Sequence, residues 1–138
     1  MGVEGEKEVK VVGIVCQYSG AKAAENAAVE GEQYPSSVRL MRCICAADVD
    51  EMIFLRLILG GADGVFFAGC PLDSGYFRQC STRMQRRVHL WKQILKLVGI
   101  HPDRVTGFWV EPTAGKEFAE RVNRFCEQVS GIRGGEKG

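Results

Sequence analysis

The sequence lacks the features by which metal and membrane proteins are most easily read. No two cysteines form a CxxC pair, so the compact knuckles of structural zinc sites are absent. There are only two histidines, and neither His89 nor His101 has a ligand partner at a recognisable spacing. No apolar run approaches the roughly 20 residues that cross a bilayer. Neither sign of charge dominates: 18 basic and 17 acidic residues leave a formal +1. That balance argues against a nucleic-acid polyanion as partner and against a highly charged disordered chain. Met1–Lys10 is acidic and polar where an export signal is basic and then apolar, so the expected location is the cytoplasm, with no membrane insertion. Internal repeats and linker-like stretches are also missing, and 138 residues is the length of one ordinary domain with its own core.

What the chain has is six cysteines and an alternation of short apolar runs with helical patterns. In a reducing compartment structural disulfides are not expected, which leaves the thiols as core filler, metal ligands or catalysts. Val9–Cys16 is a continuous apolar run of strand length, and Gly20–Glu30 places alanines at helical spacing. Turn residues Tyr34-Pro35-Ser36-Ser37 precede a second strand over Val38–Cys45. Asp48 and Glu51 have capping-box spacing before Met52–Leu59, which is apolar almost all round and predicts a buried helix stopped by Gly60-Gly61. Ala62–Cys70 is a third strand, Ser81–Val98 a helix with Val88, Trp91, Ile94, Leu95 and Val98 on one stripe, and Val105–Val110 a fourth strand. Phe118, Val122, Phe125 and Val129 form the stripe of a last helix. The expected organisation is a polar segment over 1–8, one domain over 9–130 and a flexible tail over 131–138.

Strands alternating with helices predict a single α/β domain of flavodoxin-like type: a four-stranded parallel sheet, order 2-1-3-4, with helices on both faces. In such a sheet all strand C-termini share one edge, where these folds place their ligands. Three strands here end in cysteine, so Cys16, Cys43 or Cys45, and Cys70 should gather at that edge. Thiolates converging from loops suit iron-sulfur clusters or zinc. Cys126, on the last helix beside Phe125, reads as packing.

The stretches VVGIVCQYSG, QYPSSVRLMRCIC, LRLILGGADGVFFAGC and RRVHLWKQILKLVGIHPDRV resemble the delta subunit of methyl-viologen-reducing hydrogenase, also called the hydrogenase iron-sulfur subunit. The resemblance runs from Val11 to about Val129. It implies a 2Fe-2S cluster held by cysteines of the strand-end loops. It also implies electron relay from a hydrogenase or other dehydrogenase to a heterodisulfide reductase A-like flavoprotein subunit, in an anaerobic multi-subunit complex whose catalysis belongs to the partners. Cys16, Cys45 and Cys70 match family cysteines. Ser19 and Gly75 stand where the family carries two more, and Ala46-Ala47-Asp48 replaces its Thr-Gly-Arg. A cluster of this type takes four thiolates, so Cys80 is expected as the fourth ligand, with Cys43 as the alternative. Two other functions are carried forward. One is a cluster-free structural adaptor in the same kind of complex. The other is a small flavin- or nucleotide-binding domain, whose phosphate would rest on the amides of Ser19-Gly20 or Asp73-Ser74-Gly75. Arg78, Arg83, Arg86 and Arg87 are expected to form a basic patch for the acidic groups of a partner protein.

Overall fold

Three of the sheet's four strands are apolar stretches of five or six residues whose side chains alternate between two helix-covered faces, and the strand at one edge, over Val38–Cys43, is mostly exposed. The structure, a computed structural model, describes residues 9–70 and 80–137. Its elements are β1 (Val11–Cys16), α1 (Gly20–Glu30), β2 (Val38–Cys43), α2 (Glu51–Leu59), β3 (Gly64–Gly69), α3 (Cys80–Leu97), β4 (Val105–Trp109) and α4 (Gly115–Lys137). The strands form one parallel sheet in the order β2-β1-β3-β4, as the alternation predicts.

Val11, Val15, Phe66, Ala68 and Phe108 face α1 and α4, where they meet Phe118, Val122, Phe125 and Val129. The alternate residues Ile14, Cys16, Val65, Phe67 and Val105 face the other way and meet α2 and α3 through Phe54, Met84, Trp91 and Leu95. Phe54, Phe67 and Trp91 stack, with Trp91 centroids 4.7 Å from Phe54 and 4.8 Å from Phe67. The alanine-rich face of α1 lets the helix come close to the sheet. A Cβ at Gly20 would lie 2.4 Å from the Ala68 carbonyl oxygen, so this first helical residue has room only for hydrogen.

Expectations for three elements are corrected. The helix after β2 is capped by Asp50, whose carboxylate accepts from the Met52 amide, and not by Asp48, which lies in a 3-10 turn over Ala46–Asp48. Nor is α2 buried all round: Phe54 and Ile58 are inside, while Met52, Ile53 and Leu59 are exposed. The reason is geometric, since a nine-residue helix laid against one sheet covers it with a single stripe. β2 ends at Cys43, two residues earlier than expected, and Cys45 stands in the turn beyond it. The last helix runs on to Lys137, past the boundary at residue 130 at which the glycines of GIRGGEKG led a tail to be expected.

Candidate thiol site at the strand ends

β1 delivers Cys16 as its final residue, fully buried, and the chain then turns through Gln17–Ser19 into α1. This turn aims the amides of Tyr18, Ser19 and Gly20 at the Cys16 sulfur. The Ser19 side chain makes no cap at the start of α1. The sulfur therefore occupies the place an external anion would take at a helix N-terminus. A phosphate at Ser19-Gly20 is thereby displaced as a reading, because the amides already have a partner. The companion candidate, Asp73-Ser74-Gly75, lies outside the described residues.

Cys70 follows β3 directly, is buried, and brings its Sγ to 3.6 Å from the Cys16 Sγ. The Cys70 thiol is the largest influence on Cys16. Its hydrogen bond, aided by the three amides and opposed by burial, lowers the Cys16 pKa from 9.0 to about 6. The lowered pKa favours the ionised form of Cys16, bonded by donors on two sides, the state in which sulfur binds metals or attacks electrophiles. Cys126 lies on the opposite face of the sheet. Burial, with a smaller effect from Glu127, pushes its thiol up to about 11, as befits core filler.

Cys43 is in register with Cys16 across β1 and β2, so the two side chains project to the same face. It is half-buried, and its thiol approaches the Val15 carbonyl oxygen at 3.6 Å. Cys45 is buried in the same apolar cluster as Cys16 and Cys70. It is disulfide-bonded, against the expectation of free thiols throughout, while the strand-end thiols Cys16, Cys43 and Cys70 are free. Cys80 opens α3, but its side chain is outside the described part. The edge thus brings together Cys16 and Cys70 closely, with Cys43 and Cys45 beside them. Among the described residues no group of three or more ligand-type side chains is arranged to hold a metal ion.

The pair nonetheless fits a metal of thiolate preference. A tetrahedral ion with sulfur bonds of about 2.3 Å separates two of its sulfurs by about 3.8 Å, close to the distance between Cys16 and Cys70. The donors are soft, one has its pKa lowered, and amides to the sulfur stabilise the anionic charge that thiolate clusters carry. For Cys45 to join them its disulfide would first have to be reduced.

Two features of the site were not read from the sequence. Ser19 is buried, and its hydroxyl donates to the carbonyl of Val110, tying the β1–α1 turn to the end of β4. Arg87 was expected to face a partner; instead it turns inward. It donates to the carbonyls of Ala47 at 2.9 Å and Val49 at 2.6 Å, pairs with Glu51 at 3.1 Å and lies 5.0 Å from the Trp91 ring centroid. Its place on the stripe Met84–Arg87–Trp91 was the available signal, since residues three and four apart share a helix face. Arg83 and Arg86 are exposed as expected, and Arg78 lies outside the described residues. His101 caps the 3-10 turn before β4 through its Nδ1, a structural role.

A doubly wound parallel α/β domain with a thiolate-bearing cysteine pair at its ligand edge defines the class of protein. Residues 11–132 match the methyl-viologen-reducing hydrogenase delta subunit family, and the chain belongs to it. It is 33% identical to the vhu iron-sulfur subunit of the F420-non-reducing hydrogenase of Methanococcus maripaludis, over 88% of this chain and 91% of that one. Identity to the vhc iron-sulfur subunit of the F420-non-reducing hydrogenase of Methanococcus voltae is 30%, over 91% and 87%. It is also 27% identical to the ferredoxin/F420H2-dependent CoB-CoM heterodisulfide reductase A protein of Methanosarcina acetivorans, over 88% of this chain. The match spans only 15% of that larger protein. Among the described residues no helix is long and apolar enough to cross a membrane.

Proposed function

We propose that this chain is an electron-transfer subunit that holds a 2Fe-2S cluster at the C-terminal edge of its sheet. Cys16, Cys45 and Cys70 are the assigned thiolate ligands, with Cys80 as the fourth and Cys43 as the alternative. The cluster, when bound, accepts and releases one electron. The chain's own part is to supply ionised sulfur, to surround it with amides and apolar side chains, and to present it to partners. Those partners are a hydrogenase or other dehydrogenase on one side and a heterodisulfide reductase A-like flavoprotein on the other, in a cytoplasmic complex. The observation that carries the reading is the Cys16–Cys70 pair, 3.6 Å apart, with its sulfur seated on the amides of 18–20. Support for the cofactor comes from relatives named iron-sulfur subunits. Support for one partner comes from a heterodisulfide reductase A protein that contains a region like this chain.

A second reading has its own observation. Ser19, at a family cysteine position, is committed to Val110, and Cys45 is committed to a disulfide, as in an adaptor that has kept the fold without the cluster. One experiment separates the two: iron and sulfide quantification with electron paramagnetic resonance on reduced, anaerobically purified protein. About two irons per chain, and a reduced-cluster signal lost in Cys16→Ser and in Cys70→Ser, establish the relay. Iron-free protein within an intact complex establishes the adaptor.

A further inference from the structure

The sheet holds Cys16 and Cys70 within reach of a covalent bond to each other. Val15 is paired with Ala68 across β1 and β3, so Cys16 stands level with Gly69, and Cys70 lies one residue beyond. Strands about 4.8 Å apart, with a rise of about 3.3 Å per residue, place the two Cα atoms about 6 Å apart. That falls inside the Cα separation of about 4.4–6.8 Å that a disulfide spans. Closing the sulfurs from 3.6 Å to the bonded distance of about 2.0 Å therefore asks for side-chain rotation and not for movement of a strand. Both ends are anchored: β1 is paired on either side, and the Gly69 carbonyl accepts from the Val110 amide at 3.1 Å. The other free thiols stand differently. Cys126 lies on the opposite face of the sheet, and Cys43 turns its thiol toward the Val15 carbonyl.

Burial selects the reagent. Cys16 is fully buried and Cys70 is 5% exposed, so an oxidant has to be small and meets Cys70 first. A hydroperoxide fits, and a bulky peptide disulfide does not. A sulfur with a thiol neighbour stops at the first, reversible stage of oxidation, whereas an isolated one continues to the irreversible sulfinic acid.

We propose that Cys16 and Cys70 form a reversible disulfide in the metal-free chain, with a hydroperoxide as oxidant, and that this bond closes the thiol edge to metals until a dithiol reduces it. The O–O bond of hydrogen peroxide breaks as the Cys70 sulfur takes up one oxygen, giving a sulfenic acid and one water. The Cys16 sulfur then attacks the Cys70 sulfur; the S–S bond forms, the S–O bond breaks, and a second water leaves. Two electrons pass from the pair to the peroxide, and the two thiol protons end in the waters. A dithiol returns both electrons and both protons by thiol–disulfide exchange and becomes a disulfide itself. Metals bind thiolate sulfur, so neither cysteine is a ligand while the bond stands. The proposal goes beyond the electron-transfer reading and holds with or without a cluster, because it concerns the metal-free chain.

The test takes the full chain, stripped of metal and reduced with dithiothreitol, and adds a small excess of hydrogen peroxide under native conditions or in denaturing urea. Remaining thiols are alkylated, and tryptic fragments are read by mass spectrometry. Residues 11–22 and 57–78 are separate fragments with one cysteine each. Under native conditions their linked product should be at least tenfold more abundant than in urea, and dithiothreitol should release it. In Cys16→Ser, peroxide should carry Cys70 on to a sulfinic acid that dithiothreitol does not reverse. In Cys45→Ser, which rules out the disulfide of Cys45 as the cause, peroxide treatment should weaken cadmium binding at least tenfold, read by thiolate-to-metal absorbance. Sulfinic acid on Cys70 of the wild type in place of the link overturns the proposal, as does preferential linkage of Cys16 to Cys43 or Cys45. Cadmium binding that peroxide leaves undiminished overturns the closing of the edge. Iron content decides the relay reading separately, so either can fail alone.

Discussion

Cys16 shows how much chemistry one residue acquires from its place at the end of a strand. Its sulfur meets a helix N-terminus on one side and a second thiol on the other. The resulting pKa near 6 leads to a direct expectation: ultraviolet thiolate absorbance of the metal-free, reduced chain should titrate with a midpoint near 6. The step should vanish in Cys16→Ser and move up toward the ordinary thiol range in Cys70→Ala, which removes the largest stabilising partner. Because the folded pKa is depressed below the unfolded one, the stabilisation is fully present only above the unfolded thiol range near 9, and is lost as pH falls through 6. Urea midpoints measured from pH 9 to pH 5 should therefore decline in the wild type more than in Cys16→Ser. Gly20 carries a steric prediction: Gly20→Ala places a methyl against the Ala68 carbonyl and should cost about 1–3 kcal/mol by chemical denaturation. The thiol ending of three of the strands could be read from the chain. The state of Cys16 could not, since neither the amides of 18–20 nor Cys70, 54 residues away, announces its direction in one dimension.

Among the elements, α3 does more than cover the sheet. Its Arg87 grips the short turn that follows β2, bonding two of its carbonyls, and so holds the Cys45 segment against the core. Arg87→Met keeps much of the packing on Trp91 but removes both charged hydrogen bonds, which are together expected to contribute about 2 kcal/mol or more. Hydrogen exchange should quicken across residues 46–50 while the amides of β3 stay protected, and Arg87→Lys, with a single ammonium in place of the fork, should restore only part of the loss. Helix stripes carried the placement of Val88, Trp91, Leu95, Phe118 and Val122 correctly. The exposure of Met52, Ile53 and Leu59 escaped them, because periodicity reports how many apolar residues a helix has and not how much of its circumference a neighbour covers.

For the molecule as a whole, the sheet is a shared plate between two cores with little in common. Phe118 packs on Phe66 and Phe108 on one side, while Phe54 packs on Phe67 and Trp91 on the other. Phe118→Leu and Phe54→Leu should each lower stability by about 1–2 kcal/mol. The double variant should show the sum within about 0.5 kcal/mol, as expected of sites without shared partners. Unfolding should remain one transition, because neither core survives loss of the strands that both use.

The sequence by itself determined the alternation of strands and helices, hence the parallel sheet and its order. It also placed Cys16 and Cys70 on one edge, because in a parallel sheet chain direction alone assigns every strand end to the same side. Family membership was legible as well, from stretches such as LRLILGGADGVFFAGC. Only the tertiary structure decided which of these cysteines meet, that the helix amides of α1 serve a sulfur of this same chain, that Arg87 points inward and that the β2–α2 face stays open. These depend on distances between residues remote in the chain, set by how closely each helix can approach the sheet.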